Sequence, residues 1–299
     1  MEMLVTAPIV IGLGEVLWDC FPDSRRPGGA PANVAYHATQ PGARGRVASR
    51  VGVDADGEEL VAFRKGRCLD DGLIQRDPDR PTGRVTVTVS AGGQPSYVIH
   101  EGVAWDHLQA TPEWLEAVDE ADAVCFGTLA QRFPDSRATV HAMLRAAGET
   151  TLRVFDVNLR QQWYDGKIVS DSLRAADIVK LNDAEVDVLS ELLGASSRDA
   201  AGFCRMLLER YGVETVVVTR GADGCLALRG DELIDVPGEP VNVVDTVGAG
   251  DAFTAGFITG ILQGWPLAGA ARFANRIGGL VASRAGAMAD LDAEGARRA

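Results

Sequence analysis

The sequence has no long apolar segment and no export signal at its start. Among its 299 residues, no apolar run reaches the roughly 20 residues that a membrane-spanning helix needs. Residues 1–8 carry neither the basic segment nor the long apolar stretch of a secretion signal. We therefore expect a cytoplasmic protein without a membrane partner.

Cysteine is scarce and scattered. Five cysteines are spread along the chain, and none belongs to a Cys-x-x-Cys pair. An odd, dispersed set argues against a disulfide framework and against a zinc site. This usage indicates a reducing compartment, in agreement with the cytoplasmic expectation.

Basic charge is also in short supply. The 29 Lys and Arg residues are outnumbered by 42 Asp and Glu residues, which gives a formal net charge of −13. A surface of this sign repels nucleic acid, so we expect no nucleic-acid partner. A small phosphate-bearing ligand is still compatible, because amide dipoles and metal ions act at close range.

What the sequence does contain is an alternation of strand and helix patterns. Short β-rich runs occur at residues 123–126, 152–155, 178–181 and 215–218, and helix-like segments at residues 136–147 and 198–211. An earlier apolar run reads as a first buried strand. Repeated alternation of this kind predicts an α/β fold with a mostly parallel sheet covered by helices.

Residues 82–100 have a different, period-two pattern. Val85, Val87 and Val89 alternate with polar residues, residues 91–94 read as a turn, and residues 97–99 read as a returning strand. The pattern predicts a β-hairpin with one covered face. Such a hairpin would project from the parallel layer as a lid, and it could also pair with a second copy of the chain to form a homodimer.

A glycine-rich turn lies between two regular elements later in the chain. Val243 and Val244 read as a strand, and residues 253–261 read as a helix. The turn between them contains Gly248, Ala249 and Gly250. Free N–H groups and the helix dipole make such a helix N-terminus an anion site. It is not a Walker A loop, because no Lys-Ser/Thr pair follows the glycines.

Asp251 comes directly after these glycines, where it would repel the anion that the amides attract. One interpretation is a general base that takes a proton from an attacking hydroxyl. Gly248, Ala249 and Gly250 would then stabilise the charge on a phosphoryl group in transfer. The other interpretation is a helix cap, a common role of aspartate. The spacing alone leaves both open.

Two segments resemble the signatures of one enzyme family. Residues 245–253, Asp-Thr-Val-Gly-Ala-Gly-Asp-Ala-Phe, resemble the C-terminal signature of the ribokinase-like sugar kinases, also called the phosphofructokinase-B family. Residues 28–35, Gly-Gly-Ala-Pro-Ala-Asn-Val-Ala, resemble their N-terminal signature. The resemblance covers nearly the whole chain. It implies an ATP-dependent sugar kinase in which Asp251 is the catalytic base.

The same resemblance implies an architecture. We expect residues 1–299 to form a single ribokinase-like kinase domain. This fold is a three-layer sandwich with a mostly parallel sheet and a small β lid. The lid would be formed around residues 15–25 and 82–104.

By resemblance, the sugar is held near the N-terminal signature. The expected sugar-binding residues are Asp19, Gly28, Gly29, Asn33, Trp105 and Asn158. Sugar hydroxyls need hydrogen-bonding partners of this kind. Plainer interpretations exist for three of them: Asp19 as a solvated turn residue, Asn33 as a first-turn helix residue, and Trp105 as packing beneath the hairpin.

Arg160 follows a β-rich run, in the sequence Asp156-Val-Asn158-Leu-Arg160. In fructokinase-like members of the family, an arginine in this setting lies near the substrate and the phosphates. A guanidinium suits that role because it binds oxyanions through two parallel hydrogen bonds. The alternative is an ordinary surface cation.

The resemblance also implies a nucleotide and metal side. The expected nucleotide contacts are Asn182, Thr219, Gly221, Gly224 and Asn275. Glu185 would hold Mg²⁺ through water, and Asp245 would lie at a candidate K⁺ site. Asn182 and Glu185 also have the spacing of a helix capping box, a structural role that is compatible with the metal role.

The identity of the sugar is the least defined part. Residues 14–19 and 28–35 look most like bacterial fructokinases, which favours fructose or a related ketose. Alternatives are a 2-keto-3-deoxygluconate kinase, whose acidic substrate would use Arg160, and a ribokinase. A non-catalytic sugar-binding regulatory protein is an alternative of a different class. A nicotinamide-dependent dehydrogenase is disfavoured, because Gly12-x-Gly14 lacks the third glycine of the dinucleotide fingerprint.

Overall fold

The structure is a computed structural model that describes residues 7–67, 69–89, 95–197 and 199–291. Its strands are β1 (Ile9–Leu13), β2 (Leu17–Cys20), β3 (Arg25–Gly28), β4 (Arg44–Gly52), β5 (Ile74–Asp77), β6 (Gly83–Val89), β7 (Pro95–Ile99), β8 (Ala123–Gly127), β9 (Leu152–Asp156), β10 (Ile178–Asn182), β11 (Thr215–Thr219), β12 (Cys225–Arg229) and β13 (Glu232–Val236). Its helices are α1 (Ala30–Thr39), α2 (Ala55–Lys65), α3 (Pro112–Asp119), α4 (Pro134–Ala146), α5 (Gly166–Ala175), α6 (Asp183–Leu193), α7 (Ala200–Tyr211), α8 (Ala249–Leu262) and α9 (Leu267–Ala282). Within this described part, no helix has the length and apolar character to cross a bilayer.

The main sheet has the strand order β13-β12-β11-β10-β9-β8-β1-β4-β5. All neighbours from β11 through to β5 pair in parallel, and β12 and β13 extend the sheet in antiparallel orientation. The predicted mostly parallel sheet is therefore confirmed. Because parallel strands share one carboxyl edge, β1, β8, β9, β10 and β11 all deliver their following loops to the same side.

Helices cover both faces of this sheet. In β1, alternate residues point to opposite faces: Ile11 belongs to one apolar cluster and Val10 to another. The first cluster packs α3 to α7 against the sheet, and the second packs α1, α8 and α9 against the other face. The predicted three-layer arrangement is confirmed. Near-continuous apolar strands are what a sheet buried on both faces requires.

A second, four-stranded sheet has the order β3-β2-β6-β7. In β6, Val85 and Val87 are buried while Thr88 is exposed, as the period-two pattern predicts. The strands β6 and β7 form the predicted antiparallel hairpin. Its predicted turn, residues 91–94, lies outside the described residues. The segments proposed as a lid thus contribute the strands of one separate sheet.

The predicted strand at Val243 and Val244 is wrong. Neither residue belongs to a helix or a strand, and both side chains are largely exposed. The backbone N–H of Val244 instead donates to the carbonyl oxygen of Ala282 at 2.8 Å, at the end of α9. The β-branched side chains favoured a strand, but this hydrogen bond to a helix end satisfies the backbone without any strand partner.

Two predicted helices begin slightly later or earlier than expected. The segment 136–147 corresponds to α4, and the segment 198–211 corresponds to α7. Arg198, the first residue of the second prediction, lies outside the described residues. The last residues of the chain, which the sequence predicted to fray, also lie outside them.

Candidate active site

The glycine turn lies at the beginning of α8. Gly248 precedes the helix with φ of 80°, a conformation that favours glycine. A Cβ there would lie 2.7 Å from the backbone of Ala287, so the position also has no room for a side chain. The N–H of Ala249 donates to the carbonyl oxygen of Thr246 at 3.2 Å. One of the amides expected in the anion site is therefore engaged within the turn itself.

Asp251 lies in the first turn of α8 and does not cap the helix. The residue before the helix is Gly248, and it makes no side-chain capping bond. The carboxylate Oδ2 of Asp251 instead accepts a hydrogen bond from Nδ2 of Asn33 on α1, at 2.7 Å. This bond brings the two signature segments together. The Asp251 carboxylate is therefore bonded to α1, which carries the N-terminal signature, and not to the amides of its own helix.

Asn33 has one further hydrogen-bonding atom available. Its Oδ1 is buried and has no partner among the described residues. Because the amide N–H₂ is used by Asp251, the free oxygen can accept a hydrogen bond from a hydroxyl placed next to that carboxylate. Asn33 thus connects the candidate base with a candidate substrate position.

Asp19 lies in β2, against the first glycine of the N-terminal signature. A Cβ at Gly28 would lie 2.5 Å from Oδ2 of Asp19, so glycine there leaves space for the carboxylate. The second glycine, Gly29, has φ of 115°, and a Cβ would overlap the carbonyl oxygen of Glu15. The signature glycines therefore allow the β1–β2 segment to approach the start of α1.

Three carboxyl groups of this region have raised pKa values. Burial raises the pKa of Glu15 to about 7, and those of Asp19 and Asp251 to about 6. The charge of Asp156 also raises the pKa of Asp251, while Asn33 opposes it by hydrogen bonding. Arg160 is the cation whose charge lowers all three pKa values. Clusters of perturbed carboxyl groups in one region are typical of functional sites.

Arg160 lies on a loop with an unusual backbone. Asn158 and Gln161 have φ of 43° and 49°, a left-handed conformation that non-glycine residues adopt rarely. The side chain of Gln161 donates from Nε2 to the carbonyl oxygen of Tyr97 on β7, at 2.8 Å. The loop is therefore anchored to the second sheet, and Arg160 is exposed between them. Such strain is found where a loop must hold functional groups in place.

Glu185 and Asn182 form the predicted capping box at the start of α6. Oδ1 of Asn182 accepts from the N–H of Glu185, and Oε2 of Glu185 accepts from the N–H of Asn182, both at 2.8 Å. The other oxygen, Oε1, accepts from the N–H of Leu159 at 2.8 Å. Burial raises the pKa of Glu185, and the charge of Lys180 opposes this. Both oxygens of Glu185 thus hold backbone amides, including one in the Arg160 loop.

These contacts limit how Glu185 can hold a metal. Each carboxylate oxygen keeps a second lone pair, which suits an outer contact through water. Among the described residues, no cluster of three or more His, Cys, Asp or Glu side chains could hold a metal ion. A Mg²⁺ ion that keeps most of its waters needs few protein ligands, and the residues present fit that kind of site.

Most of the expected nucleotide residues lie at the ends of β10 and β11 or in the turn after β11, and Asn275 lies on α9. Thr219 ends β11, and its hydroxyl donates to the carbonyl oxygen of Leu181 at 3.4 Å. Gly221 and Gly224 have φ of 55° and 85° in the next turn, and a Cβ at Gly224 would overlap the carbonyl oxygen of Val236. Nδ2 of Asn275 on α9 lies 3.4 Å from that same carbonyl oxygen. The structure thus brings Gly224 and Asn275 together.

Asp245 lies near the turn that follows α9. Its carboxylate accepts from the N–H of Gly286 at 3.1 Å and from the N–H of Val247 at 3.1 Å. It also pairs with Arg26 of β3 at 3.0 Å. The segment expected at the candidate K⁺ site is therefore adjacent to the turn at Gly286, but the carboxylate of Asp245 already accepts from two amides and a guanidinium.

Trp105 is placed differently from the expectation of a sugar contact. Its side chain is completely buried, and the guanidinium of Arg132 stacks over it at 4.1 Å. A Cβ at Gly83 would overlap its indole nitrogen, so the ring lies directly beneath β6. With no accessible surface, Trp105 cannot contact a sugar in this arrangement. Packing beneath the hairpin is what the structure shows.

A buried ionic cluster beneath the glycine turn has no counterpart among the expected site residues. Nζ of Lys180 lies 3.1 Å from Oδ1 of Asp156, and a Cβ at Gly250 would lie 3.2 Å from Nζ. The hydroxyl of Thr254 lies 2.7 Å from Asp156 and 3.0 Å from the carbonyl oxygen of Gly250. Burial disfavours the ammonium form, yet neighbouring carboxylates raise the pKa of Lys180. A lysine inside an otherwise apolar strand was the available sequence signal.

The family comparison agrees with this geometry. Residues 13–294 match the model of the pfkB family carbohydrate kinases. The match includes both signature turns and the loops that follow β8 to β11. This chain belongs to the pfkB family. It is therefore a carbohydrate kinase, and the predicted family and fold are confirmed.

Individual members of the pfkB family are similar over almost their whole length. A sugar kinase of Pyrococcus horikoshii is 33% identical over 276 residues, which cover 88% of this chain and 83% of the relative. Its crystal structure in complex with ATP has a TM-score of 0.78 and covers 94% of both chains. A fructokinase of Klebsiella pneumoniae is 30% identical, with 93% of this chain and 94% of the relative covered.

A fructokinase from Vibrio cholerae, in a form with bound fructose, ADP and calcium, is also similar. It is 25% identical, has a TM-score of 0.79 and covers 95% of both chains. The two solved structures therefore share the fold of this chain over almost its whole length.

Proposed function

We propose that this pfkB kinase transfers the γ-phosphoryl group of ATP to a hydroxyl of fructose or a related ketose. Asp251 is the general base, and Asp19, Gly28, Gly29 and Asn33 hold the sugar. The proposal is supported by the similarity to fructokinases and by the arrangement of the signature turns. The nucleotide would lie over Thr219, Gly221, Gly224 and Asn275.

The observation that carries the proposal is the hydrogen bond between Asp251 and Asn33. This bond places Asn33 next to Asp251 and leaves Oδ1 of Asn33 without a partner in the described residues, and the carboxylate has no helix-capping role. A hydroxyl bound there can donate to Asp251 and lose its proton as it attacks. Base catalysis of this kind contributes about 10²–10⁴ in rate.

The rest of the step depends on charge placed close to the transferring group. The start of α8 supplies amides and the helix dipole, and Lys180 places an ammonium directly beneath Gly250. Arg160 adds an exposed cation at the sugar side. When bound, Mg²⁺ would neutralise phosphate charge, and Glu185 is the carboxylate that would hold its hydration shell. Positioning and electrostatics are the main contributions that phosphoryl transfer requires.

Replacement of Asp251 by asparagine tests the assignment of the base. Asp251→Asn keeps the shape and the bond to Asn33 but cannot accept the hydroxyl proton. We expect turnover with fructose to fall by about 10²–10⁴, while the dissociation constant for ATP stays within about twofold. Asp119→Asn, at the exposed end of α3, is the control with unchanged turnover. Normal turnover in Asp251→Asn would exclude Asp251 as the base.

Arg160 favours a second candidate, 2-keto-3-deoxygluconate kinase. Its guanidinium is exposed, is not paired with a carboxylate in the described residues, and acts on Glu15, Asp19 and Asp251. A free cation beside the sugar site would suit a substrate carboxylate. The two candidates differ in the charge of the substrate, which makes them separable by one substitution.

A substrate comparison separates these candidates. Product formation would be measured with fructose, 2-keto-3-deoxygluconate and ribose, for the unmodified chain and for Arg160→Gln. We expect the highest kcat/KM with fructose. If the keto acid is the better substrate and Arg160→Gln lowers its kcat/KM by about tenfold or more, the second candidate replaces the first. Binding of sugar without any product would favour the non-catalytic class.

We also propose an oligomeric state, a cation requirement and a cellular location for this protein. Tyr97 and Val98 on the edge strand β7 are about half exposed, which supports a homodimer formed through the second sheet. The adjacency of Asp245 and Gly286 supports a K⁺-dependent activity. The cysteines within the described residues are free thiols, which is compatible with a reducing cytoplasm.

A further inference from the structure

Arg64 occupies a position on α2 where an apolar residue would be expected. The buried residues of this helix are Gly57, Leu60, Val61 and Arg64, which follow the i, i+3, i+4, i+7 spacing of a core-facing stripe. Arg64 is only 2% exposed, and its neighbours Leu60 and Val61 belong to an apolar cluster. A full guanidinium therefore lies inside the core between α2 and the N-terminal segment.

The buried guanidinium has no carboxylate partner among the described residues. Nη2 donates to the carbonyl oxygen of Gly28 at 2.8 Å, while Nε and Nη1 are buried and have no partner in the part of the chain that the structure describes. Burial lowers the pKa of Arg64 to about 9, so the group is still charged at neutral pH. Burying an uncompensated charge is costly, and it does not serve the stability of the fold.

Elsewhere this protein pairs a buried arginine with a buried carboxylate. Arg132 is also buried, and it forms a two-pronged ion pair with Asp106 at 2.7 and 2.9 Å. Arg132 thus shows how the chain treats an arginine that serves packing beneath the hairpin. Arg64 has no carboxylate partner in the described residues, and its Nη2 donates to the carbonyl oxygen of Gly28, the first glycine of the N-terminal signature.

A second buried ionisable group, Glu15, contacts the same turn at its other end. Glu15 is 3% exposed, and its Oε1 lies 3.3 Å from the N–H of Ala30, the first residue of α1. Its Oε2 is buried and has no partner in the described part of the chain. The residue before α1 provides no side-chain cap. Glu15 therefore supplies, from a neighbouring segment, the acceptor that the helix start lacks.

We propose that Arg64 and Glu15 are positioning residues that clamp the turn of residues 28–30 from opposite sides and so preorganise the sugar site. The cation holds the carbonyl oxygen of Gly28, and the carboxyl group holds the N–H of Ala30. The two bonds fix the peptide planes on either side of Gly29. They also fix the direction in which α1 begins, and α1 carries Asn33. The inference rests on the proposed role of this turn in sugar binding.

The clamp gives a functional reason for the burial of the Arg64 and Glu15 side chains without a charged partner in the described residues. A misplacement of about 1 Å in a positioned group can cost about 100-fold in rate, so a turn that must be held precisely in place gains from charged hydrogen bonds. Hydrogen bonds to a charged donor or acceptor are about twice as strong as neutral ones. Gly29 has φ of 115°, and because glycine lacks a Cβ its backbone can adopt many other conformations. It is therefore the residue that most needs such restraint.

The first test replaces Arg64 by methionine, an apolar side chain of similar length. We expect the KM for fructose to rise by about 10–100-fold while the KM for ATP stays within about twofold. We expect the melting temperature to be unchanged or higher, because a buried charge without a partner is removed. Arg64→Lys, which can still reach Gly28, should recover part of the fructose KM.

Two control variants make the result specific. Lys65→Met changes the next residue of α2, whose side chain is 74% exposed, and should leave both KM values and the melting temperature unchanged. Arg132→Met should lower the melting temperature, because it leaves Asp106 buried without its partner. If Arg64→Met lowers the melting temperature as Arg132→Met does and leaves the fructose KM unchanged, the clamp is overturned and Arg64 is a packing residue.

Hydrogen exchange of the sugar-free protein provides a readout that does not depend on the substrate. Arg64→Met should accelerate exchange in a peptide covering residues 28–33 and leave a peptide covering residues 219–224 unchanged. Unchanged exchange at residues 28–33 would overturn the clamp even if fructose is phosphorylated. Failure of the unmodified chain to phosphorylate fructose would instead contradict the proposed substrate, while accelerated exchange would still support the clamp.

A double substitution tests whether the two residues act on one turn. Glu15→Leu removes the acceptor of Ala30, whereas Glu15→Gln keeps an oxygen in that place and should have the smaller effect. In Arg64→Met/Glu15→Leu, we expect the rise in fructose KM to be clearly smaller than the product of the two single effects. A rise equal to that product would show independent contributions and would contradict a shared clamp.

Discussion

The proposed sugar side and the proposed nucleotide side of this kinase differ in the kinds of residue that form them. On the sugar side, Glu15 and Arg64 are buried, and Asp19 and Asp251 are half-buried. The proposed nucleotide contacts are uncharged, and Gly221 and Gly224 form a backbone turn there. Both sides lie at the carboxyl edge of one parallel sheet.

This difference indicates where the reaction requires buried charge. Buried charge is expensive to maintain, so it is found where a hydroxyl must be oriented and deprotonated. A nucleotide needs mainly shape and amide contacts, which turns can provide without buried charge. We therefore expect the sugar side to respond strongly to substitution and to pH, and the nucleotide side to respond weakly.

The largest expected contrast is between Gly29→Ala and Gly221→Ala. A Cβ at Gly29 would overlap the carbonyl oxygen of Glu15, so the turn must move. We expect kcat/KM for fructose to fall by about 100-fold. A Cβ at Gly221 meets nothing within 4 Å, and only its left-handed φ of 55° carries a cost of about 1–2 kcal/mol. Steady-state kinetics would measure kcat/KM for fructose and for ATP in both variants.

That contrast has a clear opposite outcome. If Gly221→Ala impairs ATP use as severely as Gly29→Ala impairs sugar use, the nucleotide turn is as tightly constrained as the sugar turn. The comparison between a charged, rigid side and a tolerant side would then be wrong. Melting temperatures of both variants serve as the control for folding.

A smaller contrast is expected in the pH dependence. Burial raises the pKa of Asp251 to about 6, and the base must be ionised to act. Activity is therefore fully present well above this pKa and falls as the pH drops through it, by about fivefold between pH 6 and pH 5. The KM for ATP should change little over the same range. A pH profile of kcat/KM for fructose that stays flat down to pH 5 would contradict this assignment.

The smallest effect is expected for Asn275→Ala. Nδ2 of Asn275 makes long contacts, at 3.4 Å, with the carbonyl oxygens of Val236 and Pro237, and its side chain also bonds to the thiol of Cys225. Loss of such neutral hydrogen bonds costs about 0.5–1.5 kcal/mol, so we expect the KM for ATP to rise by about two- to tenfold. The fructose KM should not change. A larger rise for fructose than for ATP would place Asn275 on the wrong side of the comparison.

Much of the fold was predictable because local patterns and global packing agree. The alternation of β-rich runs and helical segments predicted the parallel sheet, and the valine pattern predicted β6. Val243 and Val244 show where this reasoning fails. Their β-branched side chains favour a strand, but the backbone there bonds to the end of α9, a contact that no local pattern reveals.

The site was predictable at its turns and not at its buried charges. The glycine signatures located Asp251, Gly28 and Gly29, because turns are local in sequence. Arg64 and Lys180 act through partners 36 and 24 residues away, so their roles depend on tertiary placement. The local signs were an arginine in the apolar stripe of α2 and a lysine inside the apolar strand β10. For Trp105, the sequence left a sugar contact and packing beneath the hairpin open, and its complete burial favours packing.

The bond between Asn33 and Asp251 also has a consequence for how the protein is made. These residues are 218 positions apart, so Asp251 reaches Asn33 only after almost the whole chain has been synthesised and α8 has packed against α1. A ribosome-bound chain that ends before α8 therefore lacks the proposed base and the proposed anion site, and we expect it not to consume nucleotide while synthesis is incomplete.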